Sequence, residues 1–221
     1  MSLLDIHVLG SPILRQETEL VDSVNSELRR LVDNMFDTMD AASGIGLAAP
    51  QIGRRERLAV VSVDDTQLVM INPEIILREG SDRAEEGCLS IPEIFAQVER
   101  PARVTVRAQD IDLNWYEIDA NELLGRCLQH EIDHLHGRLF TDHLSLLKRR
   151  SAMKSWEREK TRYPALLRVL PVGDLPPEKD STESAGNPGS GEEPTQGSVA
   201  PNELHGDQSP DGSHGPHGPR L

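Results

Sequence analysis

The sequence predicts an α+β fold with a mostly antiparallel β-sheet. Three observations favour it: an amphipathic helical pattern before residue 40, several short strand-like segments between residues 58 and 118, and two helical patterns after them. Helices that precede and follow a run of strands, rather than alternating with them, are typical of α+β domains. We therefore expect helices near both ends of the ordered chain.

The first helix is predicted between residues 28 and 39. Apolar side chains recur there at intervals of three and four residues, which is one face of an α-helix. Glycine commonly follows the last turn of a helix, so Gly44 is expected to stop this one.

Four strands are predicted after this helix. The first two cover residues 58–63 and 67–71, and the second is expected to end before Asn72-Pro73. Residues 102–108 and 113–118 alternate in polarity, and the connection between them predicts a hairpin, although it lacks the usual Asn-Gly pair.

Two further helices are predicted toward the end of the ordered chain. The first runs from about Asn121, a good capping residue, to Gly137. The second covers about 142–160, with Asp142 at its start.

Composition divides the chain into an ordered part, 1–165, and a Pro/Gly-rich acidic tail, 166–221. All seven aromatic residues lie in the first part, whereas residues 171–221 hold 9 of the 15 prolines and 9 of the 17 glycines. Such a polar segment cannot bury enough apolar surface to offset the entropy of ordering it. The tail is therefore predicted to be disordered.

Charge and cysteine content narrow the classes of function. The net charge of −14 argues against a nucleic-acid coat protein or DNA binding, and two cysteines do not make a disulfide scaffold. The sequence shows no leader peptide at its start and no apolar run long enough to cross a bilayer. A cytoplasmic protein is expected.

The pentad His130-Glu131-Ile132-Asp133-His134 is the strongest chemical signal. Histidines four residues apart lie on one helix face and can bind one ion, with Glu131 beside its water. Two half-buried core histidines would give the same pattern. The metzincin protease extension requires a third histidine where Phe140 stands, so a third ligand has to come from elsewhere.

Two other segments supply candidates. Cys88, which follows Gly87, is a candidate third metal ligand in its thiolate form. The alternative is that it is a small buried apolar residue of the core. The glycines of residues 44–51 (GIGLAAPQ) allow the backbone to approach a ligand closely, and Gln51 offers an uncharged hydrogen-bond donor for an oxyanion. The alternative is that this segment is only a tightly packed loop.

Together these segments resemble peptide deformylases, because 44–51 (GIGLAAPQ), 86–90 (EGCLS) and 129–134 (QHEIDH) are similar to the three family motifs in order and spacing. The resemblance covers roughly residues 1–165. It implies an α+β fold with antiparallel sheets packed around the HExxH helix. It also implies removal of the formyl group from N-terminal formyl-methionine of new bacterial chains.

The resemblance further implies residue roles. Cys88, His130 and His134 would bind one divalent metal, usually Fe2+, with Zn2+, Ni2+ or Co2+ as alternatives. A metal-activated water would attack the formyl carbonyl while Glu131 accepts its proton and later returns it to the amine. Gln51 and the Leu89 backbone N–H would stabilise the oxyanion. The residues expected to bind substrate are Gly44, Ile45, Gly46, Gly87, Leu123 and Cys127.

Two positions put substrate preference in question: Phe95, where many relatives have a basic or polar residue, and Arg126, which is apolar in some relatives. The basic run 148–162 indicates either a solvated helix face or a transient contact with ribosomal RNA. Two other functions remain alternatives: a zinc endopeptidase and an inactive metal-binding or ribosome-associated module.

Overall fold

The computed structural model describes residues 2–171. Within them the predicted α+β fold is confirmed, with three helices and short antiparallel sheets. The helices are α1 (Ser26–Ala41), α2 (Glu122–Leu135) and α3 (Leu146–Glu159). The strands are β1 (Ile6–His7), β2 (Gly46–Ala48), β3 (Leu58–Val63), β4 (Thr66–Glu79), β5 (Asp82–Cys88), β6 (Ile91–Arg100), β7 (Arg103–Gln109), β8 (Trp115–Asn121) and β9 (Leu167–Arg168).

The largest sheet has five antiparallel strands in the order β2-β3-β4-β7-β8. The helix α2 packs on this sheet, and its residues Cys127, Leu128 and Ile132 join a buried cluster with residues of β3, β4 and β7. This packing fixes the position of the neighbouring helix face, which carries His130 and His134.

The hairpin β5-β6 forms a separate two-stranded sheet. Its inner side packs against α3 through a cluster that includes Ile91, Val98 and Trp156. Neither strand is in the set predicted above, because Gly87 and the charged residues of 82–86 hide their alternation. The hairpin matters for the site, since β5 ends at Cys88.

The first predicted helix is confirmed, but its predicted stop is wrong. The helix ends at Ala41, and Ser43, not Gly44, adopts the left-handed conformation, with φ of 56°. The Gly44 N–H donates to the Met39 carbonyl, so Gly44 follows the turn rather than making it.

The predicted end of the strand at 67–71 is also wrong, because β4 continues through Asn72-Pro73 to Glu79. A register shift between Ile71 and Glu74 accommodates the proline, which has no N–H to donate. The Asn72 side chain holds this bulge by bonding to both backbone groups of Val21 and to Gln109.

The predicted hairpin at 102–118 is confirmed as β7 and β8, and Asn121 directly precedes α2. The start predicted for the last helix is wrong. Asp142 lies in a short 3-10 turn and accepts the Leu139 N–H, whereas Ser145 caps α3 by accepting the Lys148 N–H.

The boundary predicted after residue 165 falls next to a packed segment. Leu167–Arg168 pair with β1, and Leu170 is buried in the core. The part of the predicted tail beyond residue 171 lies outside the described residues.

Candidate active site

Three candidate metal ligands converge in the interior. Cys88 comes from the end of β5, and His130 and His134 come from successive turns of α2. Their ligand atoms all lie within 4.8 Å of one another, and the Cys88 sulfur is 3.2 Å from His134 Nε2. All three side chains are buried. The spacing of the pentad and the hairpin turn at Cys88 together produce this cluster.

The donor set fits a divalent metal ion. His130 Nδ1 is 3.1 Å from a Glu86 carboxylate oxygen, so Nε2 of the same ring faces the cluster, and it has no hydrogen-bond partner among residues 2–171. Burial lowers the pKa of His134 well below its usual value, which keeps that ring neutral and able to ligate. One sulfur and two imidazole nitrogens suit ions such as Fe2+ and Zn2+.

The thiolate predicted at Cys88 is the ligand of a bound cation, and the protein groups around the thiol do not by themselves lower its pKa. Burial raises its pKa, and the nearby carboxylates of Glu131 and Glu86 raise it further, so the two imidazoles alone do not produce a thiolate. A bound cation is the group that would favour the thiolate at this position.

Glu131 is a buried carboxyl group beside the three ligands. Neither carboxylate oxygen has a hydrogen-bond partner within the described part of the chain. Burial raises the pKa of Glu131 well above its usual value. Gly46 lies against it, and a Cβ there would overlap the Glu131 carboxyl group and lie 2.9 Å from the sulfur of the buried Cys127.

Gln51 is held with its amide donors toward the cluster. Its Oε1 accepts the Ala48 N–H at 2.7 Å, which fixes the side chain. Its Nε2 lies 3.3 Å from Ser90 Oγ and 3.7 Å from the Cys88 sulfur. The arrangement places an uncharged N–H donor at the edge of the candidate metal site.

Comparison with known proteins identifies the family. The model of the polypeptide deformylase family matches residues 3–150. The chain belongs to this family. The peptide deformylase of Acidobacterium capsulatum is 54% identical over 143 residues, which cover 62% of this chain and 84% of that protein. The peptide deformylase of Hydrogenovibrio crunogenus is 48% identical over 162 residues, covering 72% and 96%.

Solved structures of peptide deformylases share the fold. The enzyme from Legionella pneumophila matches with a TM-score of 0.70 and 42% identity, covering 73% of this chain and 97% of that one. The enzyme from Synechococcus elongatus, solved in complex with actinonin, matches with a TM-score of 0.67 and 41% identity, covering 70% and 86%. This deformylase is therefore a hydrolase of the formyl amide. No helix within residues 2–171 could span a membrane.

A buried ion network, which the sequence did not predict, supports the candidate metal ligands of the deformylase. Glu86 is fully buried and accepts from Arg100 Nε at 2.6 Å and from Arg126 Nη1 at 2.7 Å, in addition to its contact with His130. Although burial alone would raise it, the hydrogen bonds with the His130 ring and with Arg100 hold the pKa of Glu86 well below its usual value. Arg100 also donates to Asp133, and Arg126 donates to the Val98 carbonyl, so two turns of α2 are tied to β6.

The predicted substrate-binding glycines of the deformylase lie close to this centre. A Cβ at Gly44 would lie 2.7 Å from the Leu89 side chain, and one at Gly87 would lie 2.6 Å from the Phe95 ring. Phe95 therefore covers Gly87 directly. The Ile45 carbonyl accepts the Ser62 N–H, which ties this predicted substrate-binding segment to β3.

The two predicted pocket residues of α2 have different environments. Cys127 is fully buried, with its sulfur 3.5 Å from the Ile45 carbonyl oxygen, whereas Leu123 is 37% exposed and lines a surface cavity. They are four residues apart and lie on one helix face with His130. Phe140, at the position that excluded the metzincin pattern, is buried and stacks on His130 with 6.3 Å between ring centroids.

Proposed function

We propose that this deformylase removes the formyl group from N-terminal formyl-methionine of new polypeptides with one divalent ion bound by Cys88, His130 and His134. The observation that carries the proposal is the convergence of these three side chains beside the buried carboxyl group of Glu131, which has no hydrogen-bond partner among the described residues. Fe2+ is the ion we propose, with Zn2+, Ni2+ and Co2+ as alternatives that the same donors would accept.

The metal ion would lower the pKa of a bound water molecule toward neutrality and polarise the formyl carbonyl. Glu131 is the proton carrier in this proposal. Its carboxylate accepts the proton of the attacking water and then delivers it to the departing amine. Burial serves this role, because the raised pKa of Glu131 makes its carboxylate a stronger proton acceptor than that of an exposed glutamate.

Gln51 and the backbone N–H of Leu89 would stabilise the negative charge that develops on the formyl oxygen. The bond from the Ala48 N–H to Gln51 Oε1 fixes the amide before substrate arrives. A donor that needs no reorganisation stabilises a transition state more effectively than a mobile one.

The substrate backbone would lie between the segment Gly44–Gly46 and Gly87 as an added strand. Backbone bonds of this kind provide affinity with little demand on the substrate sequence. The absence of Cβ atoms at Gly46 and Gly87 leaves Glu131 and the Phe95 ring in place. Leu123 and Cys127 would contact the methionine side chain.

Mass spectrometry of the products from formyl-Met-Ala distinguishes this function from its nearest alternative. We expect Met-Ala and formate, with acetyl-Met-Ala left largely intact as the control. A zinc endopeptidase would instead produce formyl-Met and alanine. An inactive metal-binding module would leave both peptides unchanged.

Replacing Gln51 by leucine is expected to lower kcat by about 10²–10³-fold, the usual effect of losing one oxyanion donor. Leucine has a similar size but cannot donate. The matched control is Gln129→Leu, since Gln129 is also a buried amide of this region but donates to the Pro101 and Gly125 carbonyls. Equal losses of kcat in the two variants would contradict the assignment of Gln51.

We also propose that the enzyme works in the bacterial cytoplasm and contacts the ribosome transiently. Residues 148–162 contain seven basic and two acidic residues, and Lys148, Arg149 and Arg150 are exposed at the beginning of α3. Some of these basic side chains are neutralised by ion pairs, including Arg149 with Asp142 and Arg162 with Glu159. The remaining positive surface is suited to RNA phosphates.

Reversing the charge of Lys148, Arg149 and Arg150 to glutamate is expected to weaken co-sedimentation with ribosomes, more strongly at low salt. The control reverses three exposed arginines elsewhere, Arg29, Arg30 and Arg55. Co-sedimentation that is unchanged in the α3 variant, or equally reduced in both variants, would contradict the proposed contact.

A further inference from the structure

A series of hydrogen bonds runs from the protein surface at His143 to the candidate metal ligand His130. His143 Nε2 lies 2.7 Å from Asp133 Oδ2, and Arg100 Nη1 donates to the same oxygen at 2.8 Å. Arg100 also donates through Nε and Nη2 to the two carboxylate oxygens of Glu86, at 2.6 and 3.0 Å. Glu86 Oε2 is in turn 3.1 Å from His130 Nδ1. Each side chain of the series is therefore bonded to the next.

The charges of the series determine which ring nitrogens carry hydrogens. An ionised carboxylate can only accept, so His143 Nε2 and His130 Nδ1 are both donors. The Nε2 atom of His130 then keeps its lone pair for a metal ion. A carboxylate that accepts from the other ring nitrogen orients a histidine ligand and makes it more basic. The orientation of the His130 ring therefore depends on where Glu86 is held.

Arg100 couples the two carboxylates of the series. Its guanidinium group is planar and its pair with Glu86 has two parallel bonds, so these two groups move together. Both side chains are buried, and breaking a buried ion pair by removing one partner is strongly destabilising. A displacement of Asp133 would therefore reach the Glu86 oxygen that also accepts from His130.

His143 lies on an anchored segment of the backbone. It ends a short 3-10 turn in which Asp142 accepts the Leu139 N–H. Phe140, at the beginning of the same turn, stacks on the His130 ring. The turn thus contacts α2 at two places, and His143 makes the outer contact, with 31% of its side chain exposed.

We propose that His143 is a positioning residue for the metal site of this deformylase, acting on His130 through the series of hydrogen bonds. The bond from His143 keeps Asp133 in place, and Arg100 then keeps its full pair with the neighbouring carboxylate. The imidazole ring of the ligand thereby keeps the direction in which it binds the ion. The inference rests on the proposed function, because it concerns the ion which that function requires.

The test is the rate at which bound Co2+ is released to an excess of chelator. Replacing His143 by leucine removes the donor and is expected to speed release by about three- to tenfold, less than the about 10–100-fold typical of losing a direct partner of a ligand. His143→Gln keeps an N–H donor at similar reach and should restore a rate close to that of the wild type. The absorption bands of bound Co2+ should shift in His143→Leu but not in His143→Gln, which a general loss of stability would not produce.

The matched control is His136→Leu. His136 is also a partly exposed histidine beside a carboxylate, but that carboxylate is Glu17, which lies outside the series. This variant should release Co2+ at the wild-type rate. A second comparison uses Asp133→Ala as the background. There His143→Leu should change the release rate little, because the group on which it acts has been removed.

Three outcomes would overturn this inference. They are wild-type release and spectra in His143→Leu, equal effects in His143→Leu and His136→Leu, and a full additional effect of His143→Leu in the Asp133→Ala background. Wild-type protein that binds Co2+ but is inactive on formyl-Met-Ala would instead contradict the proposed function. The two failures are therefore distinguishable.

Discussion

Replacing Glu131 by glutamine is expected to lower kcat for formyl-Met-Ala by about 10²–10⁴-fold while the bound metal is retained. The amide has nearly the shape of the carboxyl group but cannot accept the proton of water. The role is specific to this position, because Glu131 is a buried side chain whose two oxygens have no partner within residues 2–171. Steady-state kinetics with metal analysis of the same samples would measure the effect.

The control for Glu131 is Glu122→Gln, an exposed glutamate at the start of the same helix. It should leave kcat and metal content close to those of the wild type. A Glu131→Gln variant that keeps more than about one tenth of the wild-type kcat would contradict its role as the proton carrier.

Replacing Cys88 by alanine is expected to abolish tight metal binding and, with it, deformylation. The thiolate is the soft, anionic member of the ligand set, and two imidazoles alone make a weaker site. Metal content per chain after dialysis against a weak chelator would measure the loss. Cys127→Ala is the matched control, because Cys127 is also fully buried but is not among the clustered ligands.

Metal binding to the wild-type protein is further expected to strengthen as pH rises. Burial raises the pKa of the Cys88 thiol, so the ion has to displace a proton when it binds. At higher pH that displacement costs less free energy, and proton release accompanies binding. Affinity that is independent of pH, or metal retained by Cys88→Ala at wild-type levels, would contradict ligation by this thiol.

Local patterns predicted the elements whose signals are contained in a short stretch of sequence. Helix α2 is an example: its spacing of apolar residues and of His130 and His134 is visible without any tertiary information. The three short motifs also predicted which residues lie close together. Their resemblance to a family of known fold supplies the long-range contacts that the sequence itself does not show. Cys88 and the two histidines do lie together in the structure, as the resemblance implies.

The features that sequence reasoning missed depend on contacts between distant residues. Glu86, Arg100 and Arg126 look like ordinary surface charges along the chain, and only the packing of β5 and β6 against α2 makes them a buried network. Even the part of the EGCLS motif that carries Glu86 gave no sign of this role. A charged residue two positions before the candidate ligand Cys88 is the one signal that could have suggested it.

In strand β4, by contrast, a strong local signal gave a wrong prediction because tertiary contacts outweighed it. Asn72-Pro73 normally ends a strand, but the bonds from Asn72 to Val21 and Gln109 stabilise a bulge that lets the strand continue. At α3, similarly, Asp142 has the chemistry of a cap but bonds to Leu139 one turn earlier.

We propose that the site of Cys88, His130 and His134, with Glu131 as proton carrier, hydrolyses the formyl amide. The most direct measurement is formate release from formyl-Met-Ala during anaerobic titration of metal-free protein with Fe2+. We expect a rate that rises to a plateau at one ion per chain in the wild type and stays near background in Glu131→Gln at the same occupancy. No formate from the fully loaded wild type, or equal rates in the two proteins, would contradict it.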